Sequence, residues 1–182
     1  MTRQATTWQT VGPFFSIGFE HLDATVIASP DTAGEHVTIE GRVLDGQGQP
    51  VPDAVLEIWQ ADAEGIYPHD SEPTGFRGFG RIPTDEEGRF SFATIKPGRV
   101  AGPSGVTQAP HLAVRVMMRG LLKDLVTRMY FPQESLAGDP VLQLVPSERR
   151  ATLIARRRLD RESTYLWNIE LQGKHETVFF EC

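Results

Sequence analysis

Five histidines, three tyrosines, one cysteine and the carboxylates are the residues of this 182-residue chain best suited to metal or redox chemistry. The histidines, His21, His36, His69, His111 and His175, are dispersed. No two lie two to four residues apart, so no local pair of imidazoles closes on one ion. Cys182 is the sole cysteine, and neither a disulfide nor a cysteine-based zinc site can be built from it. The tyrosines are Tyr67, Tyr130 and Tyr165. There is no glycine-rich phosphate loop, no Gly-x-Ser-x-Gly elbow and no His-Glu-x-x-His. The only basic runs, Arg149-Arg150 and Arg156-Arg157-Arg158, are interrupted by Glu148, Asp160 and Glu162 and read as solvated edges. With 24 acidic and 18 basic residues the net charge is −6, the wrong sign for holding nucleic-acid phosphates. No apolar run approaches the ~18 residues of a spanning helix, so a membrane protein is not expected.

The elements that must position these residues read as short strands. Gly and Pro number 17 and 13 and are scattered as punctuation, which suits many turns. His36–Asp45 alternates, with Val37, Ile39, Gly41 and Val43 on one side. Ala54–Gln60, Arg89–Ile95, His111–Met118, Asp124–Phe131 and Thr164–Leu171 read as further strands, and 177–180 as a short terminal one. Residues 61–88 read as loop. Asp139-Pro140 caps one short helix, and 146–155 reads as another with Ala151 and Ile154 inward. Trp59 and Trp167 are expected in the core, and Glu57 is expected to be buried against an arginine. The fold expected is all-β: an antiparallel β-sandwich core with an N-terminal arm, long loops and one or two short helices. Residues 1–35 form the arm, packing on a partner subunit, and 36–182 the sandwich domain. The arm carries Trp8, Phe14, Phe15, Ile17 and Phe19, too apolar to leave in water.

The stretch Ile39-Glu40-Gly41-Arg42-Val43, then Gly48, Val51, Leu56-Glu57-Ile58-Trp59-Gln60-Ala61-Asp62 and Gly65-Ile66-Tyr67 resembles the signature of intradiol ring-cleavage dioxygenases. Lys96-Pro97-Gly98 after a Phe-x-Phe strand is similar too. Gln9-Thr10-Val11-Gly12-Pro13-Phe14, Ala109-Pro110-His111, Thr127-Arg128-Met129-Tyr130-Phe131, Asp139-Pro140-Val141-Leu142 and residues 173–180 extend the likeness to the family's alpha-type subunits. The resemblance implies a β-sandwich fold and an oligomer of alpha and beta subunits. It implies cleavage of protocatechuate by O2, giving 3-carboxy-cis,cis-muconate, at a ferric ion bound by the beta subunit. The family holds that ion with two tyrosines and two histidines.

By the same resemblance, this chain lacks the ligands. The family's His-x-His pair points two imidazoles the same way from one strand. Here it aligns with His111 and Ala113, a relict metal site with one ligand left. The loop 68–80 contains no tyrosine, and Arg99, Val100 and Ala101 follow Lys-Pro-Gly where the second tyrosine would stand. The resemblance therefore implies no metal and no catalytic residue in this chain. Its contribution would be Thr10, Gly12, Pro13 and Phe14 of the arm, lining the beta subunit's substrate pocket or anchoring the arm. Arg119 would stand near the substrate carboxylate or in an interface salt bridge. On a continuous strand it would lie ~26 Å from His111 at ~3.3 Å per residue. Residues 41–58 also resemble prealbumin-like sandwich repeats, so the rival reading is a non-enzymatic β-sandwich binding module. Such modules are often secreted, and residues 1–7 lead into no apolar signal segment, so a cytoplasmic location is expected.

Overall fold

The computed structural model describes residues 6–12, 14–68, 76–102 and 105–181. Two sheets face each other. The first is built on β1 (His36–Leu44), whose buried residues Val37, Ile39, Gly41 and Val43 are the ones its alternation predicts. On one side β1 pairs antiparallel with β4 (Arg89–Ile95), from His36 opposite Ile95 to Arg42 opposite Arg89. On the other it pairs parallel with β10 (Thr164–Leu166) and β11 (Ile169–Glu170), and β9 (Arg156–Arg157) extends β10. The expected single strand over 164–171 is thus split at Trp167-Asn168. There the Trp167 amide donates to the Glu40 carbonyl at 2.9 Å, and the Asn168 side chain accepts from the Arg42 amide at 3.1 Å.

The second sheet is antiparallel throughout, in the order β3 (Phe79–Pro83), β2 (Val55–Trp59), β7 (His111–Met117), β8 (Leu125–Tyr130). A two-residue ladder joins β5 (Val100–Ala101) to β6 (Thr107–Gln108). β3 forms inside the stretch read as loop. Its sequence hides the alternation, because one inward position is Gly80 and the outward one beside it is a buried arginine, Arg81. The expected strand at 177–180 reduces to one bridge, Phe180 to Val126.

The main core fills the space between the sheets. Ile39, Leu56, Ile58, Leu112, Val116 and Ile169 are fully inside it, each stabilising the fold by about 1.5–3 kcal/mol relative to exposure. A second cluster of Ala109, Tyr130, Leu142, Val145 and Leu153 sits under the segment that follows β8. That segment contains α2 (Pro140–Gln143), capped by Asp139 as its sequence predicts, and a 3-10 turn at Arg150–Leu153 in place of the longer helix. The turn buries Leu153; Ala151 is exposed and Ile154 half-buried. In the arm, α1 (Phe14–Ile17) and a 3-10 turn (Glu20–Leu22) precede Ile27 and Ala28, which enter the core. The Ile27 amide donates to the Ala93 carbonyl at 2.8 Å.

Gly41 is where β1 comes closest to the chain returning beside it. A β-carbon there would collide with the Trp167 carbonyl oxygen and the Phe90 ring, and the carbonyl belongs to paired backbone that cannot yield cheaply. We expect Gly41→Ala to cost about 2–3 kcal/mol, in the range of core overpacking. Thermal unfolding followed by circular dichroism should show a midpoint roughly 5–10 °C lower.

Candidate functional site

The outward face of the four-stranded sheet carries the residues singled out in the sequence. Register places them in rungs. One rung runs Arg81, Glu57, Arg115, Val126, and the next runs Phe79, Trp59, Ala113, Arg128. His111 then faces Tyr130. Leu56 and Ile58 point inward, so parity sends Trp59 outward. It is 39% exposed and stacks on Tyr67 with centroids 5.8 Å apart, correcting its expected place in the core. Trp167 does lie in the core, its indole donating to the Thr152 carbonyl at 3.0 Å. Glu57 is half-buried between Arg81 and Arg115, which pair with Asp23 and Asp124 respectively. Trp59, Phe79, Ala113 and Val126 line a shallow depression of about 340 Å³.

His111 is 1% exposed. One ring nitrogen, Nδ1, lies 2.8 Å from the Ala109 carbonyl, which can only accept, so Nδ1 carries the proton. Nε2 is then the acceptor for the Tyr67 hydroxyl, 3.3 Å away. Asp139 is fully buried and holds the other side of this cluster. One carboxylate oxygen accepts from the Val141 and Leu142 amides and from the Tyr130 hydroxyl at 3.0, 2.8 and 3.1 Å; the other accepts from the Ala109 amide at 2.8 Å. Arg128 donates to the Gln108 side chain at 2.7 Å.

Burial pushes the His111 imidazolium down to about 4. The Arg128 guanidinium adds to this, while the Ala109 carbonyl and Asp139 oppose it. Burial also raises the Tyr130 phenol to about 12, with Asp139 adding to it, and raises Tyr67. At neutral pH the cluster therefore holds a neutral imidazole and two neutral phenols. Among the described residues, no three His, Cys, Asp or Glu side chains converge. His69 lies outside the described residues.

The arm residues meet a different end of the sheet. The turn after β7 begins at Met118, so Arg119 does not continue the strand on which its distance from His111 was reckoned. Its side chain, 61% exposed, pairs with Asp53. The neighbouring Gly120, at φ +91°, donates its amide to the Thr10 hydroxyl at 2.8 Å. Trp8 lies under Lys123, whose ammonium is 4.6 Å from the ring centroid. Thr10 and Arg119 are therefore brought to one place, remote in register from His111. Gly12 and Phe14 are exposed, Phe14 at 76%. Pro13 lies outside the described residues. Sequence reasoning set aside Tyr67 and Tyr130 and passed over Arg128, Gln108 and Asp139 as site residues. The alternation of β8 carried the signal, since Arg128 and Tyr130 share its outward parity.

The family described as Dioxygenase matches residues 11–173. The protocatechuate 3,4-dioxygenase alpha chain of Burkholderia cepacia is 44% identical over 99% of this chain and 98% of its own length. The beta chain of the same name and organism is 36% identical over 86% of this chain and 72% of its own. Among solved structures, the dioxygenase domain of a dioxygenase–carbohydrate-binding fusion from Streptomyces sp. SirexAA-E superposes with a TM-score of 0.63. It is 26% identical, covering 83% of this chain and 88% of that one.

The His111 environment has a measurable consequence. Its proton affinity is lower in the folded chain than in the unfolded one, so the unfolded state binds more protons between pH 6.5 and about 4. The stability this contributes is present above pH 6.5 and is lost as pH falls through that window. The slope is about 1.4 kcal/mol per pH unit, for about 3 kcal/mol by pH 4. Urea unfolding across this range should show the slope, and His111→Gln should flatten it.

Proposed function

The chain belongs to the intradiol ring-cleavage dioxygenase family, and from that premise we propose that it is the subunit without iron in an alpha–beta dioxygenase. The complex cleaves protocatechuate with O2 to 3-carboxy-cis,cis-muconate. The observation that carries this reading is the pair of positions at His111 and Ala113. The strand geometry that would aim two imidazoles at one ion is intact, but one of the two positions ends at a methyl group. The residues around His111 do not fit a ferric ion. A single neutral imidazole, two phenols held protonated by burial and a guanidinium give too few anionic donors for so high a charge. The iron-binding beta subunit is therefore the required partner. The dioxygenase relatives do not favour the rival reading, a prealbumin-like binding module without enzymatic work.

In this reading the chain's own work is positional. Gly120 occupies one lone pair of the Thr10 hydroxyl and leaves its hydrogen free to donate outward. Phe14 offers a flat apolar wall that a partner would bury. Arg119 keeps donors of its exposed guanidinium available beyond Asp53 for a benzoate carboxylate. Nothing among the described residues lies within 4 Å of where a Gly12 β-carbon would stand. Beyond its chain neighbours, no described residue demands the space of a glycine there, and a pocket shared with a partner would supply such a demand. No helix among the described residues is long and apolar enough to cross a membrane, and we place the complex in the cytoplasm.

Metal content, visible absorption and activity of the chain, purified alone and co-expressed with a beta-type chain, test the reading. The chain alone should be colourless, iron-free and inactive. The complex should carry a ferric–tyrosinate band and cleave protocatechuate. Stoichiometric iron and colour in the chain alone would replace this reading with a self-sufficient enzyme. Gly12→Ala separates pocket lining from arm anchoring. Lining leaves the melting midpoint of the chain unchanged and raises KM of the complex by about tenfold. A lowered midpoint with unchanged KM would mean anchoring.

A further inference from the structure

Two adjacent rungs of the outward face, His111 opposite Tyr130 and Ala113 opposite Arg128, enclose the place where a second imidazole from position 113 would deliver its donor atom. Ala113 leaves that place without a side chain, and Arg128 stands directly across from it. The guanidinium is held toward the cluster by the Gln108 side-chain oxygen at 2.7 Å, and Gln108 lies three residues before His111. It acts electrostatically on His111, Tyr67 and Tyr130 alike. Two phenols and an imidazole, the ligand types the family uses for iron, thus lie within electrostatic reach of an organic cation, with the Asp139 carboxylate behind Tyr130.

We propose that Arg128 is the resident cation of this site, occupying by charge and volume the position a metal ion would take and keeping metal ions out. The inference rests on the reading of this chain as the subunit without iron, and explains how that state is enforced. Arginine suits the role in a way lysine would not. A guanidinium stays protonated at every physiological pH, so it never becomes a donor and never leaves the site neutral. Its planar fork matches acceptors beside it, here the Gln108 amide oxygen and the Tyr130 hydroxyl. His111, the one family ligand left, beside two phenols would still make a weak site. A fixed positive charge in the same space abolishes it, because a cation entering would meet repulsion in a partly buried setting where solvent screens poorly.

The test restores the missing donor with and without the guarding charge. Wild-type chain, Ala113→His, Arg128→Gln and the double variant are dialysed against Co2+, and bound metal and cobalt visible absorption are measured. Circular dichroism melts confirm that each is folded. Glutamine keeps the length and polarity needed to meet Gln108. We expect no binding by wild type or Arg128→Gln, and only weak binding by Ala113→His. The double variant should bind about 100-fold or more tightly than Ala113→His, with a cobalt ligand-field band. If Ala113→His alone binds as tightly as the double variant, Arg128 guards nothing and the proposal falls, although the chain would still be the iron-free subunit. Failure of a folded double variant to bind also overturns it. Stoichiometric metal in the wild type overturns this proposal and the reading beneath it together.

Discussion

The Asp139 carboxylate is the interaction on which the site's geometry depends. It is completely buried and accepts four hydrogen bonds from three parts of the chain: the first turn of α2, the Ala109 amide just before β7, and the hydroxyl of Tyr130 at the end of β8. A buried carboxylate without partners would be prohibitively costly, so the three parts are constrained to meet where the carboxylate is. Ala109 then transmits the constraint. Its amide is fixed by Asp139 and its carbonyl fixes the His111 ring, so the helix cap and the imidazole are held by one residue. What looks in sequence like a local capping pair is also the anchor that aims His111 at Tyr67.

A second buried charge organises the arm. Arg81 reaches the carbonyls of Phe15 and Phe19 and the carboxylate of Asp23, and its guanidinium lies 5.1 Å from the Phe15 ring centroid. These contacts satisfy the guanidinium on several sides, which makes its burial tolerable. The arm is thereby tied to the outward face of the four-stranded sheet at one end by Arg81 and at the other by Gly120 and Lys123. Phe14 and Gly12, between these ties, stay exposed. An exposed phenylalanine held between two anchored points is presented rather than loose. This is the arrangement an arm needs if its work is done on another surface.

Most strands were legible in the sequence, because period-two alternation survives wherever the inward residues are large. β1, β4 and β7 show it plainly through Val37 and Ile39, Phe90 and Phe92, and Leu112, Val114 and Val116. The reading failed where a position carried the unexpected polarity. β3 was lost because Gly80 stands inward and a buried arginine outward. Trp59 lies outward despite its hydrophobicity, because its parity is opposite to that of the buried Leu56 and Ile58. The split at Trp167 depends on a backbone approach across Gly41, which no local pattern announces. The site was legible only as a list of positions. That Arg128 stands across from Ala113 depends on the register of β7 and β8, and the seven residues 118–124 joining them admit more than one.

That register also bears on how the polar groups around His111 are satisfied. The methyl group of Ala113 leaves three polar groups, His111, Tyr67 and Tyr130, facing a partly dry space, and buried polar groups must be paired. Tyr130 is paired by Asp139 and His111 by Ala109 and Tyr67, so none of them needs an ion to be satisfied. The imidazole is held neutral by burial and by the neighbouring guanidinium, and burial keeps the phenols protonated. Protonated phenols are poor ligands, and the proton that makes Tyr130 a poor ligand is the one it donates to Asp139. Hydrogen bonding and protonation therefore favour the same state of this cluster. Hydrogen bonds within the chain therefore supply the pairing these polar groups require.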